Sequence, residues 1–271
     1  MADLPIIGAQ LSVLDLPAHR NWLADKNRDL ELPEFSMADI LRAPEPFISM
    51  ARQALDGWHG RLGIHGPYAG FELDVSDGEI RALVQTRLLA ALDVCAALGA
   101  VQMVIHSPYD QWEAGNLDNT ARARQANIAA ILETLAPVLE RAADQGVVLA
   151  LENIKDSDPD LRAAIVRAAD SPALRLSVDT GHAFWAHRVA GAPPVADFVR
   201  AAGADLAHVH LQDSDGLADR HWPLGEGAEN WPALFQALGE TGARPHLIVE
   251  LRDFGRVRES VAHLEALGLA Q

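Results

Sequence analysis

The chain has 271 residues, 49% apolar and 22% charged, a globular composition that excludes disorder and a small stapled module. Its 38 Asp and Glu outnumber 22 Lys and Arg, giving a net charge of −16 that repels a polyanion unless a local basic patch is present. The single Cys95 excludes an internal disulfide and a cysteine-based zinc cluster, and 11 His beside so many acids form the inventory of an oxygen- and nitrogen-ligated metal site.

No stretch approaches the roughly 20 apolar residues of a membrane span. Asp3, with no basic n-region around it, argues against a signal peptide. A soluble, cytoplasmic protein is therefore expected.

Taken in chain order, short apolar runs predict strands at 6–11, 30–32 (the weakest), 61–65, 102–106, 147–152, 174–179, 206–211 and 247–251. Between them lie amphipathic stretches. Ser76 with Glu79 reads as a capping box opening a helix to residue 97. A second helix is predicted over 118–143, with Gly146 as its stop. Shorter ones start at Pro159 and at Pro193-Pro194, and others cover 231–238 and 256–267. Eight βα units over 271 residues give the rhythm of an α/β fold, a single (β/α)8 TIM barrel spanning 1–271. The rival doubly wound sheet wants a glycine-rich phosphate loop after the first strand, and Gly8-Ala-Gln-Leu is not one.

The polar residues fall at the ends of these strands. His65 ends the third, His106 the fourth, Glu152 the fifth and Asp179 the sixth, with His182 in the loop beyond. His208 and His210 share one side of the seventh by the period-two rule. Asp219 and His221 sit in the loop after it, and Glu250 closes the eighth. In a barrel these positions converge on the C-terminal face. Carboxylates and imidazoles buried there need partners, and a divalent cation such as Mn²⁺, Zn²⁺ or Co²⁺ satisfies many at once. A lone histidine such as His65 is more often a hydrogen-bonded core residue than a ligand. It is the joint placement that carries weight.

The segments His65-Gly-Pro-Tyr68, His106-Ser-Pro-Tyr109, Leu151-Glu-Asn153, Val178-Asp-Thr-Gly-His182, His208-Val-His-Leu-Gln-Asp213, Asp219-Arg-His221, Leu224-Gly-Glu-Gly227 and Val249-Glu-Leu251 resemble the xylose isomerase-like TIM-barrel superfamily. That superfamily includes sugar isomerases and epimerases and the endonuclease IV-type apurinic endonucleases. Its epimerases imply one divalent metal held by Glu152, Asp179, His210 and Glu250. Its endonucleases imply three zincs, the further ligands matching His65, His106, His182, Asp219 and His221. One to three ions, Zn or Mn foremost, follow from the resemblance.

The resemblance favours a metal-dependent isomerase or epimerase of a sugar, sugar phosphate or related polyhydroxy ketone. Glu152 and Glu250 would act as acid and base on either side of a metal-stabilised enediolate. A 1,2-hydride shift is the variant within this class. His182 and His208 are candidates for substrate hydroxyl contacts, and Arg252 for an oxyanion or phosphate. Trp112, Phe184, Trp185 and Trp222 are candidate loop residues of an apolar wall. Two alternatives use the same centre: a trinuclear-zinc phosphodiesterase of the endonuclease type, and a keto-sugar or keto-inositol dehydratase. The charge argues against the first, since Lys26 and Lys155 are the only lysines. The expected partner is a small carbohydrate, not a membrane or a nucleic acid, with a homo-oligomer left open.

Overall fold

The computed structural model describes residues 4–271, so Asp3 and the predicted absence of a leader lie outside the described residues. Eight strands follow chain order around a closed barrel: β1 Gly8–Gln10, β2 Leu30–Leu32, β3 Leu62–His65, β4 Gln102–His106, β5 Val148–Glu152, β6 Leu174–Asp179, β7 Leu206–Leu211 and β8 His246–Val249. Every pairing is parallel, and β1 closes on β8 with Ala9 opposite Val249. The predicted (β/α)8 TIM barrel is the observed fold. All eight predicted strands are present, β1 shorter than expected and β8 ending at Val249, one residue before Glu250.

The helices pack outside the barrel. They are α1 Leu16–Asp25, α2 Ala38–Arg42, α3 Glu45–Ala54, α4 Gly78–Leu98, α5 Gln111–Asn116, α6 Ala123–Gln145, α7 Pro159–Ala169, α8 Thr180–Val189, α9 Val195–Ala202, α10 Trp231–Thr241 and α11 Val257–Ala266. The cap of α4 is Asp77, not Ser76: its carboxylate accepts from the backbone N–H groups of Glu79 and Ile80 at 2.8 and 3.2 Å. Its carboxylate satisfies orphan donors of the helix N-terminus and its negative charge favours the positive end of the helix dipole. The predicted 118–143 helix starts later, at Ala123, and the short α5 precedes it. It then passes through Pro137, which leaves the Glu133 carbonyl without its helical donor. Gln85 of α4 supplies one, its Nε2 donating to Glu133 O at 3.2 Å.

Strand alternation sorts side chains into two cores. Leu30, Leu32, Met103, Ile105, Leu149, Leu151, Val178, Val209 and Leu211 point outward into the apolar layer beneath the helices. The residues between them point into the barrel, where branched apolar side chains usually stack. Here its upper layers are polar: Gln10, Glu31, His65, Glu152, Ser177, Asp179, His208 and His210 are all buried. Register brings these groups together. His106 lies opposite Glu152 across β4 and β5, and Asp179 opposite His210 across β6 and β7.

Candidate metal centre

A cavity of about 450 Å³ opens at the C-terminal ends of the strands. Glu152 and Glu250 line its floor with Asp179 and His210 buried just beneath, and the four each offer one donor atom, all within 4.8 Å of one another. His210 Nδ1 is 2.6 Å from Glu152 Oε1 and 3.5 Å from Glu250 Oε2. Asp179 is held by Gln212, whose Nε2 lies 3.1 Å from each carboxylate oxygen. Asp179 also caps α8, accepting from the His182 backbone N–H at 2.6 Å. That cap starts the helix directly after β6, so His182, Phe184 and Trp185 are helical residues rather than loop residues as expected.

Two further groups flank this one. His65 Nε2 and His106 Nε2 lie 3.8 and 3.4 Å from Glu152 Oε2. On the other side, His182 Nε2 and His221 Nε2 lie 3.4 and 2.9 Å from Asp219 Oδ1. All nine candidate ligands predicted from strand ends and the following segments are therefore brought to one face, in three contiguous groups.

The ring nitrogens are oriented from behind. His65 Nδ1 faces the Gly66 carbonyl at 2.9 Å and His182 Nδ1 the Asn153 carbonyl at 3.0 Å, so each donates there and turns Nε2 to the cavity. This is the arrangement by which a protein fixes the tautomer of a metal-binding imidazole.

The electrostatics describe a site short of positive charge. Burial pushes Asp179 up to about 6, partly offset by His182, and Glu152 and Glu250 add to the push. Burial also drives His106 down to about 3, leaving it neutral with an available lone pair. Burial opposes the charging of His182, yet Asp179, Asp219 and Glu152 raise it to about 10. Burial opposes the charging of His210 too, yet Glu250, Glu31 and Glu152 hold it well above its usual value, and a bound cation would balance the same carboxylates. Glu152 Oε2 is sealed from solvent with no hydrogen-bond partner, an acceptor that a cation would satisfy. The donor set suits an ion that prefers oxygen and nitrogen, such as Zn²⁺ or Mn²⁺.

Several predicted contacts are corrected. His208 lies below the cavity, fully buried with Ser177 Oγ at 2.9 Å and Glu31 Oε2 at 3.1 Å, two residues before His210 on β7 and so one layer further from the C-terminal mouth. It is not placed to touch a substrate. Trp112 is 79% exposed on α5, and Phe184 and Trp185 pack against the outer apolar core. Trp222 pairs with Asp213 in a β-bridge, and none of the four lines the cavity. Arg252 makes a rim contact, reaching Asp219 O at 3.2 Å with 67% of its side chain exposed.

Other residues were not singled out as part of the site. Glu31 on β2 touches both His208 and His210, and Gln10 on β1 bridges Glu31 and Glu250. An acid between two leucines in an otherwise apolar strand, Leu30-Glu31-Leu32, was the available signal for Glu31. Tyr68 stacks on His106 with ring centroids 4.1 Å apart. Asp213 organises the segment that carries Asp219 and His221. Its buried carboxylate accepts from the Ser214, Gly225 and Glu229 backbone N–H groups.

Fold and site together define a parallel (β/α)8 barrel with a carboxylate–imidazole centre at its C-terminal mouth. The chain belongs to the xylose isomerase-like TIM-barrel family, whose model matches residues 14–267. It is 26% identical over 226 residues to an uncharacterized protein of Methanocaldococcus jannaschii, covering 78% of this chain and 70% of that one. A Thermus thermophilus protein, its crystals soaked with ZnCl2, shares 26% identity at a TM-score of 0.73 over 98% of this chain and 99% of that one. A D-tagatose 3-epimerase-like protein shares the fold at a TM-score of 0.75 with 23% identity, over 97% and 96% of the two chains. So does the 3-keto-D-glucoside 4-epimerase of E. coli, at 0.70 and 16%, over 97% and 99%. Sugar epimerases are thus among its structural neighbours.

Proposed function

We propose that this protein is a divalent-metal-dependent isomerase or epimerase acting on a sugar, a sugar phosphate or a related polyhydroxy ketone. The observation that carries this reading is the pairing of Glu152 and Glu250 around His210, at the ends of β5 and β8 on different sides of the barrel. Two carboxylates so placed can address opposite faces of one substrate carbon. One removes the proton next to the carbonyl and the other returns it. Glu152, Asp179, His210 and Glu250 would hold the ion, which when bound supplies Lewis-acid stabilisation of the charge developing on the substrate oxygens. The names of the epimerases with this fold support a small carbohydrate as substrate.

The test is turnover of D-fructose, D-tagatose and D-psicose, with their phosphorylated counterparts, in D₂O with Mn²⁺ or Zn²⁺. The expected result is conversion with deuterium incorporated beside the carbonyl. Conversion without deuterium points to a hydride shift, and neither conversion nor exchange across the panel overturns the reading.

The two flanking histidine groups favour a second reading, a trinuclear phosphodiesterase. Against it stands the wall of the cavity, where Lys155 is the one Lys or Arg among the described residues. Three tightly bound ions together with incision of abasic duplex DNA would establish that reading in place of the first.

A further inference from the structure

We propose that Glu31 is the positioning residue of this centre: its carboxylate takes the Nε2–H of His210 and thereby directs Nδ1 into the Glu152–Asp179–Glu250 group. The proposal rests on reading that group as a metal centre.

Glu31 is 1% exposed, on the inward side of β2 across the barrel from β7. Its Oε1 lies 2.9 Å from His210 Nε2 and 2.9 Å from Gln10 Nε2, and its Oε2 lies 3.1 Å from His208 Nε2. Gln10 from β1 and His210 from β7 thus meet at one oxygen of a carboxylate that water does not reach, with His208 Nε2 close to the other oxygen but not hydrogen-bonded to it. An unpaired carboxylate at such a position would be costly, so the ring has reason to donate from Nε2. A neutral imidazole has a single N–H. In a metal-bound, neutral ring that proton stays with Glu31 and the Nδ1 lone pair is left for the ion; in the structure Nδ1 lies 2.6 Å from Glu152 Oε1 and 3.5 Å from Glu250 Oε2, the neighbours the ion would share.

Gln10 extends the same control to a second member of the group. Its Nε2 donates to Glu250 Oε1 at 2.8 Å as well as to Glu31. Glu31 therefore braces His210 directly and Glu250 through Gln10. Partners of this kind behind a metal-bound histidine contribute about 10- to 100-fold in affinity.

The experiment measures Zn²⁺ and Mn²⁺ affinity by chelator competition in the full-length wild type and in Glu31→Gln. Circular dichroism checks the fold, and ¹⁵N histidine spectra of the zinc-loaded protein report ring protonation. The expected result is a folded Glu31→Gln that binds both metals about 10- to 100-fold more weakly. The wild-type spectrum should show His210 protonated at Nε2 with metal at Nδ1. Unchanged affinity in Glu31→Gln overturns the proposal. Should that variant not fold, the wild-type spectrum decides alone, and a His210 protonated at Nδ1 or ligated through Nε2 overturns it. Wild-type protein that binds neither metal fails the metal-centre reading beneath the proposal, a result distinct from wild-type binding that Glu31→Gln leaves untouched.

Discussion

The strand-borne group and the triad beside it stand on different kinds of backbone. Glu152, Asp179 and His210 are the terminal or near-terminal residues of β5, β6 and β7, and Glu250 follows β8 by one residue. Their positions are fixed by the barrel ladder itself, and the first three are at most 1% exposed. His182, Asp219 and His221 instead sit on the first turn of α8 and on the segment after β7. There the Asp219 side chain is 47% exposed and His221 has a positive φ of 51°. That conformation is costly for a residue with a side chain, and Gln212 helps hold it, its Oε1 accepting from His221 N at 2.8 Å. Sites on rigid strands keep their geometry without a ligand, whereas sites on loops need local bracing.

The largest effect is expected at the strand-borne group. Glu152→Gln should lower turnover by about 10²- to 10⁴-fold, the range for removing a general acid or base. Glu152→Gln and Asp179→Asn should both lose bound metal, measured by elemental analysis of the purified protein. Full metal content in both variants would place the ion elsewhere.

A smaller effect is expected from the triad. Its ion pairs join a half-exposed Asp219 to two histidines with 14% exposed side chains, beside the strand-borne group rather than within it. Asp219→Asn should therefore keep the metal at the strand-borne group and alter kcat/KM by less than about tenfold. A loss as large as that of Glu152→Gln would put the triad inside the reacting centre and favour the trinuclear reading.

The smallest effect concerns stability of the segment behind the triad. Burial pushes Glu229 up to about 8, with Asp213 adding to the push, and its Oε2 has no partner. A carboxyl raised above its usual 4.5 binds its proton more tightly in the folded state. Its stabilising contribution is full below pH 4.5 and declines as pH rises towards 8. Thermal melts should show wild-type Tm falling more steeply over this window than that of Glu229→Gln. Parallel slopes would mean that Glu229 titrates normally.

Much of the centre was legible because barrel strands leave a plain trace. A run such as Val-Val-Leu-Ala-Leu-Glu152 says both that a strand is buried and where it ends. Glu31 escapes notice because three residues are too few to display a period, so its strand reads as weak and its carboxylate as unremarkable. His208 is misplaced for a related reason. Period two assigns a face of the strand, not a depth along the barrel axis. The aromatic residues are misjudged because Asp179 caps α8 at once, turning an expected loop into a helix whose Phe184 and Trp185 face the outer core.

The −16 charge, the single cysteine, the strand rhythm and the acids and histidines at strand ends are properties of the sequence by itself. They determine a (β/α)8 barrel and a face on which candidate metal ligands converge, because alternation and chain order dictate which ends meet. Only the tertiary structure decides which nitrogen of each histidine faces the cavity, which acids touch, and that Glu31, 179 positions from His210, lies against its ring. Those contacts depend on barrel closure and on the register between strands far apart in sequence.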